Sequence, residues 1–122
     1  MVETKSIESG YSIGHLRIKY LDLANIAFAQ GNFIGCKGYI DDFLDTVDGE
    51  NEAGKTISEE FDKIFEHKKQ QEIEIEKTIK NMGYLERKDF EDGGKQEIEV
   101  NAIHDMKEIC WRISLKNGLF YE

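Results

Sequence analysis

The sequence predicts a mainly α-helical protein, and three observations support that fold class. Apolar residues recur at intervals of three and four over most of the chain, the spacing that places side chains on one helix face. Proline, which breaks helix interiors, is absent from the 122 residues. The pairs Gly31-Asn32 and Asn117-Gly118 end periodic stretches as C-terminal caps do. We expect a single domain, because a chain of this length builds one core.

The first predicted unit is an antiparallel helical hairpin over residues 16–47, preceded by an N-terminal arm at residues 1–11. Its two helices are joined by about two residues, and so short a connection places them side by side. The apolar face consists of Leu16, Tyr20, Leu23, Ala24, Ala27 and Phe28 in the first helix and of Phe33, Cys36, Ile40, Phe43, Leu44 and Val47 in the second.

A long third helix is predicted over residues 57–82, after a polar loop at residues 48–55. Thr56 and Glu59 have the spacing of a capping box, in which the threonine accepts a backbone N–H and the glutamate reaches back to the cap. Residues 66–72 (EHKKQQE) contain no apolar side chain. We therefore expect the helix to project from the core there or to bend around it.

The segment 84–100 has two interpretations that the sequence leaves open: a small β-hairpin turning at Asp92-Gly93-Gly94, or an irregular loop. A C-terminal helix over residues 101–117 is predicted to follow, with Asn101 as its cap. The apolar tail that follows this helix, Leu119-Phe120-Tyr121, is expected to pack on the core or on a partner.

Charge and hydropathy exclude several classes of function. The chain has 25 acidic and 16 basic residues, a net charge of −9. No basic patch is visible, and Lys68 and Lys69 lie among glutamates, so we expect no direct binding of nucleic acid. No apolar run reaches the ~18 residues of a membrane span, and residues 1–10 lack the apolar stretch of a signal peptide. We expect no membrane association.

The compartment and source are suggested by residue usage. Cys36 and Cys110 fall on apolar helix faces, which favours structural thiols in a reducing compartment and hence a cytoplasmic protein. Lysine outnumbers arginine and isoleucine is abundant, as in the proteins of an AT-rich bacterium or a phage. In the phage case the protein would lie within the virion.

Residues Gly49–Thr56 match the P-loop pattern G-x-x-x-x-G-K-T letter for letter. In a P-loop, the lysine (here Lys55) neutralises phosphate charge and the threonine (here Thr56) holds magnesium. However, residues 40–48 have the pattern of an amphipathic helix instead of a buried strand, and Glu50 and Glu52 would repel phosphates. We interpret the match as a glycine-rich turn before a helix and keep nucleotide binding as the weakest alternative.

Other chemical patterns are incomplete. The acidic loop fails the calcium-loop signature, because Ala53 and Lys55 stand where glycine and an apolar residue belong. The three histidines have no metal-ligand spacing, and no serine or cysteine has the setting of a nucleophile. Residues 83–100 also resemble the wing of a winged helix, but the glutamates of the preceding helix favour protein contact over DNA. We therefore expect no enzyme activity, no cofactor and no metal.

The predicted hairpin has a regular pattern of aromatic, aliphatic and small residues on both sides of a glycine turn. The positions that form this pattern are Tyr20, Leu23, Ala24, Ala27, Gly31, Phe33, Cys36, Ile40 and Phe43. With this spacing, residues 20–48 resemble a single tetratricopeptide-type helical hairpin. The resemblance implies a two-helix unit of the kind that binds peptides or proteins in a groove built from several such repeats. Because only one copy is present, the resemblance implies the hairpin geometry and no binding residues.

These observations favour a non-enzymatic helical module for protein–protein interaction or assembly, an accessory or structural protein of a phage or AT-rich bacterium. Its partner would be another protein or a second copy. The residues predicted to contact it are Leu119, Phe120, Tyr121, Lys68 and Lys69. The alternative is an acidic inhibitor or nucleic-acid mimic that occupies a basic protein surface with Asp41, Asp42, Asp45, Glu72 and Glu76.

Overall fold

The structure, a computed structural model, describes residues 12–80 and 82–122. Within these ranges it contains no strand, which confirms the mainly α-helical class. The predicted N-terminal arm, residues 1–11, lies outside the described residues. The elements are α1 (Ile13–Ala29), α2 (Phe33–Leu44), α3 (Glu52–Ile79), α4 (Tyr84–Asn117) and a terminal 3-10 helix (Leu119–Tyr121).

Each of the first three helices begins at a polar side chain that caps it. Ser12 Oγ accepts a hydrogen bond from the backbone N–H of residue 15, and the side chains of Asn32 and Asn51 each accept one from the N–H three residues on. The capping box at Thr56 is wrong, because α3 already begins at Glu52. The Thr56 hydroxyl lies inside the helix and donates to the Glu52 carbonyl at 2.9 Å.

The β-hairpin, the irregular loop and the Asn101 cap are also wrong, because α4 runs unbroken from Tyr84 to Asn117. Two glycines in a helix interior each cost about 1 kcal/mol in propensity. Close packing accounts for one of the two: Gly94 lies so near α3 that an added Cβ would be 2.8 Å from Ile75 Cδ1. Because residues 84–100 are helical, they do not form the wing that the winged-helix interpretation requires.

Helices α3 and α4 run antiparallel as a long pair. Glu60 lies against Arg112, and Lys68 against Glu99, so partner numbers fall in α4 as they rise in α3. With 28 and 34 residues the helices are about 42 and 51 Å long. Their far halves extend past the main core and share a second, smaller apolar cluster of Ile75, Ile79 and Ile98 with Met82. The polar stretch 66–72 separates the two clusters without breaking α3.

The main core lies where α1, α2, the first half of α3 and the second half of α4 meet. Cys36 and Cys110 are both fully buried in it, which confirms the predicted burial of the thiols. Burial raises the pKa of Cys110 to about 12 and also raises the pKa of Cys36. The other buried members include Leu21, Ala24, Ala27, Ile40, Phe43, Ala53, Ile57, Phe61, Ile103, Met106, Ile109, Ile113, Leu119 and Phe120.

Arg17 fixes the C-terminal end of the described chain to this core. Its side chain is buried on α1 and donates to the Thr46 hydroxyl and carbonyl, at 3.1 and 2.6 Å. It also donates to the Leu119 carbonyl and to Glu122 Oε1, both at 2.8 Å. One guanidinium therefore joins α1, the turn after α2 and the terminal 3-10 helix.

Candidate interaction surface

An open groove lies between the end of α2, the following loop and the first half of α3, with a cavity volume of about 290 Å³. We call it the apolar groove. Phe65 stands at one end with 48 % of its surface exposed, and its ring meets that of Phe61 edge to face at 6.2 Å between centroids. Ser58 and Asp62 are the polar side chains of the lining, which otherwise consists of Leu44, Val47, Gly49, Gly54, Ile57, Phe61 and Phe65.

The loop that closes one end of the groove is held by short-range contacts. Asp48 Oδ1 accepts from the N–H of Glu50 at 2.8 Å, and Asn51 Oδ1 accepts from the N–H of Gly54 at 2.8 Å. The Asp48 carbonyl lies directly over Gly54, where any Cβ would collide with it. Position 54 therefore requires glycine for close approach of the loop.

The segment that matches the P-loop pattern, Gly49–Thr56, consists of part of this loop and the start of α3. Two of its backbone N–H groups, at Glu50 and Gly54, already have side-chain acceptors. Lys55 is exposed on the first turns of α3, and a helix rather than a strand precedes the loop. In this geometry the segment closes the apolar groove, and its two glycines line that groove.

Negative charge is concentrated in the stretch of sequence that forms the groove. Residues 41–62, which we call the acidic segment, contain nine acidic residues and one basic residue, Lys55, and thus −8 of the net charge of −9. Asp62 lines the groove itself. Asp45 and Asp48 are sequence neighbours of the lining residues Leu44, Val47 and Gly49.

Most of these carboxylates have no countercharge nearby. Glu60 accepts hydrogen bonds from Lys63 at 3.0 Å and from Arg112 at 3.3 Å, and the Lys63 contact is the main reason that its pKa is lowered. The other eight are exposed and form no ion pair within residues 12–80 and 82–122. The acidic segment consequently has a largely uncompensated negative charge.

The predicted apolar tail, residues 119–121, is buried at two of its three positions. Leu119 and Phe120 are buried in the main core, at 2 % and 9 % exposure, whereas Tyr121 is 88 % exposed. Lys68 is partly buried and forms an ion pair with Glu99 at 2.5 Å, and Lys69 is exposed. Of these five predicted contact residues, Tyr121 and Lys69 present their side chains to solvent.

The structure does not bring the five predicted acidic-face residues together. Asp41 and Asp42 lie in the last turn of α2, and Asp45 follows its last residue, Leu44, which lines the groove. Glu72 lies on α3 ten residues beyond Asp62, about 15 Å further along the helix. Glu76 follows one turn later, in the half of α3 that extends past the main core.

The apolar groove was not predicted from the sequence. Ile64 and Phe65 are adjacent apolar residues of α3, but only Ile64 faces α4, where it lines a shallow polar groove with Ile109. Phe65 points to the other side. The sequence does contain a signal for an exposed apolar side chain here, because packing against one neighbouring helix rarely covers two adjacent apolar residues.

Comparison with protein-family models, with curated proteins and with solved structures found no match to this chain. None of the helices in the described residues has the length and apolar character needed to span a membrane. In the same residues, no three His, Cys, Asp or Glu side chains are grouped so that they could hold a metal ion.

Proposed function

We propose that this chain is a non-enzymatic protein-interaction module and that the apolar groove is its docking surface. The observation that carries the proposal is the open groove itself, which leaves Phe65 half exposed beside a packed core. Exposed apolar surface next to polar rims is typical of protein-binding sites. Aromatic side chains of this kind contribute most of the energy at such interfaces.

The size and lining of the groove support a protein partner. A volume of about 290 Å³ is at the lower limit of small-molecule sites, which hold about 300–1,000 Å³. It is sufficient for the anchor side chain of a partner. The loop and helix that form it are fixed by the Asp48, Asn51 and Arg17 hydrogen bonds, so the surface is formed before a partner binds.

The test is site-specific photocrosslinking in cells that express the chain. Benzoylphenylalanine is placed at position 65, in the groove, and in a matched variant at position 34, where Ile34 is 87 % exposed on α2 and outside the groove lining. We expect a discrete adduct with one protein at position 65 and no such adduct at position 34. Absence of any adduct at 65, or the same adducts at both positions, would overturn the proposal.

A second candidate function is the acidic inhibitor or nucleic-acid mimic, and the charge of the acidic segment favours it. Such a protein would bind through carboxylates alone, so replacement of Phe65 would leave its binding intact. Binding would weaken steeply with added salt, because exposed charges are screened within about 10 Å at 0.1 M. The groove variant therefore distinguishes the two functions.

A further inference from the structure

We propose that the partner segment recognised by the apolar groove is a basic amphipathic helix, with apolar anchors on one face and lysine or arginine on the flanks. This inference rests on the proposed function. Two independent observations support it: the shape of the groove and the negative charge of the acidic segment that forms it.

The shape of the groove matches a helix. Ile57, Phe61 and Phe65 follow one another at intervals of four along α3, so the lining extends for about 12 Å along that helix. A partner helix with anchors at positions i, i+3 or i+4, and i+7 covers about the same distance. The aromatic pair at one end and the glycine loop at the other bound the space for those anchors.

The negative charge of the acidic segment favours a partner helix with basic residues on its flanks. Asp62 lines the apolar groove, Asp45 and Asp48 are next to lining residues in the sequence, and the acidic segment that forms the groove contributes −8 to the net charge. A helix with acidic flanks would be repelled, whereas lysine or arginine flanks would be attracted and steered to the site. The apolar lining adds a second requirement, because the partner must also have apolar side chains at helical spacing to fill the groove.

A second copy of the chain does not fit this description. Outside the acidic segment the chain has 16 acidic and 15 basic residues, so the rest of the chain has no net positive charge to attract that segment. Two acidic segments facing each other would repel. We therefore assign the groove to a different, basic partner.

The test uses three synthetic peptides of about 14 residues and the full chain. One consists of leucine and lysine with leucines at helical spacing, the second has glutamate in place of lysine, and the third has the first peptide's composition with its leucines dispersed. We expect the first to bind at least about tenfold more tightly than either control by fluorescence anisotropy, or about 1.4 kcal/mol. Equal binding of the dispersed peptide would overturn the inference and indicate recognition of charge alone.

Matched variants locate the binding. We expect Phe65→Ser to weaken binding of the leucine–lysine peptide about tenfold and Ile34→Ser to leave it unchanged. The double variant Asp45→Asn, Asp62→Asn should weaken binding and reduce its salt dependence, whereas the distant pair Glu72→Gln, Glu76→Gln should have little effect. The replaced side chains are exposed, except that of Glu72, which is partly buried, and far-ultraviolet circular dichroism verifies that all four variants fold. Equal effects of the near and distant pairs would contradict the inference.

Failure of the inference is distinguishable from failure of the proposed function. A crosslinked partner at position 65 without preference for the basic peptide would leave an interaction module with a different partner chemistry. A crosslinked adduct of two copies of this chain would have the same meaning. Absence of both crosslinking and peptide binding would overturn both.

Discussion

Replacing Arg17 by alanine is expected to destabilise the fold by about 3 kcal/mol. The buried guanidinium donates to the carbonyls of Leu119 and Thr46, at 2.8 and 2.6 Å, and both hydrogen bonds are lost with the side chain. A hydrogen bond made by a charged group typically contributes about 1.5–3 kcal/mol. Glu122, whose side chain is half exposed, is rehydrated and adds little. At roughly 4 °C per kcal/mol for a chain of this size, Tm should fall by about 12 °C.

Urea denaturation followed by circular dichroism at 222 nm measures this change, with the midpoint shifted and the slope unaltered. Arg112→Ala is the matched control, because that side chain is 65 % exposed and makes a hydrogen bond of 3.3 Å to Glu60. Its effect should remain within about 0.5 kcal/mol. An Arg17→Ala effect as small as that of the control would refute the argument that one arginine holds the terminal helix in place.

Three further predictions concern stability. Gly54→Ala should destabilise by about 1–3 kcal/mol in urea titrations, because its Cβ would meet a loop carbonyl, whereas Gly38→Ala, in open space inside α2, should stabilise slightly. Gly93→Ala should raise the free energy of unfolding measured in urea by about 0.5–1 kcal/mol, because residue 93 lies inside α4 with open space around it, and a loss of stability would contradict the continuous α4. The Lys68 hydrogen bond lowers the Glu99 pKa below its ordinary 4.5. Wild type should therefore exceed Glu99→Gln in stability above that pH, and the difference should vanish as acid protonates Glu99; a difference that persists in acid would contradict this.

Local patterns were sufficient to predict α1 and α2, because the apolar spacing and the Gly31-Asn32 turn lie within one short stretch of sequence. Gly31 adopts φ +77° and ends the first helix where expected. The start of α4 was not predictable in that way. Asp92-Gly93-Gly94 is unfavourable in an isolated helix, and the compensating contact comes from Ile75, nearly twenty residues earlier.

The candidate site shows the same division between local and long-range information. The charge of the acidic segment can be counted from the sequence, as can the adjacent pair Ile64 and Phe65. Which of the two faces solvent depends on the position of α4, and the closing of the groove depends on the loop lying over Gly54. Neither contact has a local sequence signal. The resemblance of residues 20–48 to a tetratricopeptide-type hairpin stays a prediction.

The most direct measurement of the central claim is a titration of the ¹⁵N-labelled chain with the leucine–lysine peptide, followed by ¹H–¹⁵N NMR spectra. If a basic amphipathic helix docks in the apolar groove, the largest chemical-shift changes will fall in residues 44–54 and 57–65. Residues 86–97, in the half of α4 beyond the main core, will change little. Changes centred on another surface, or spread evenly over the chain, would contradict the account.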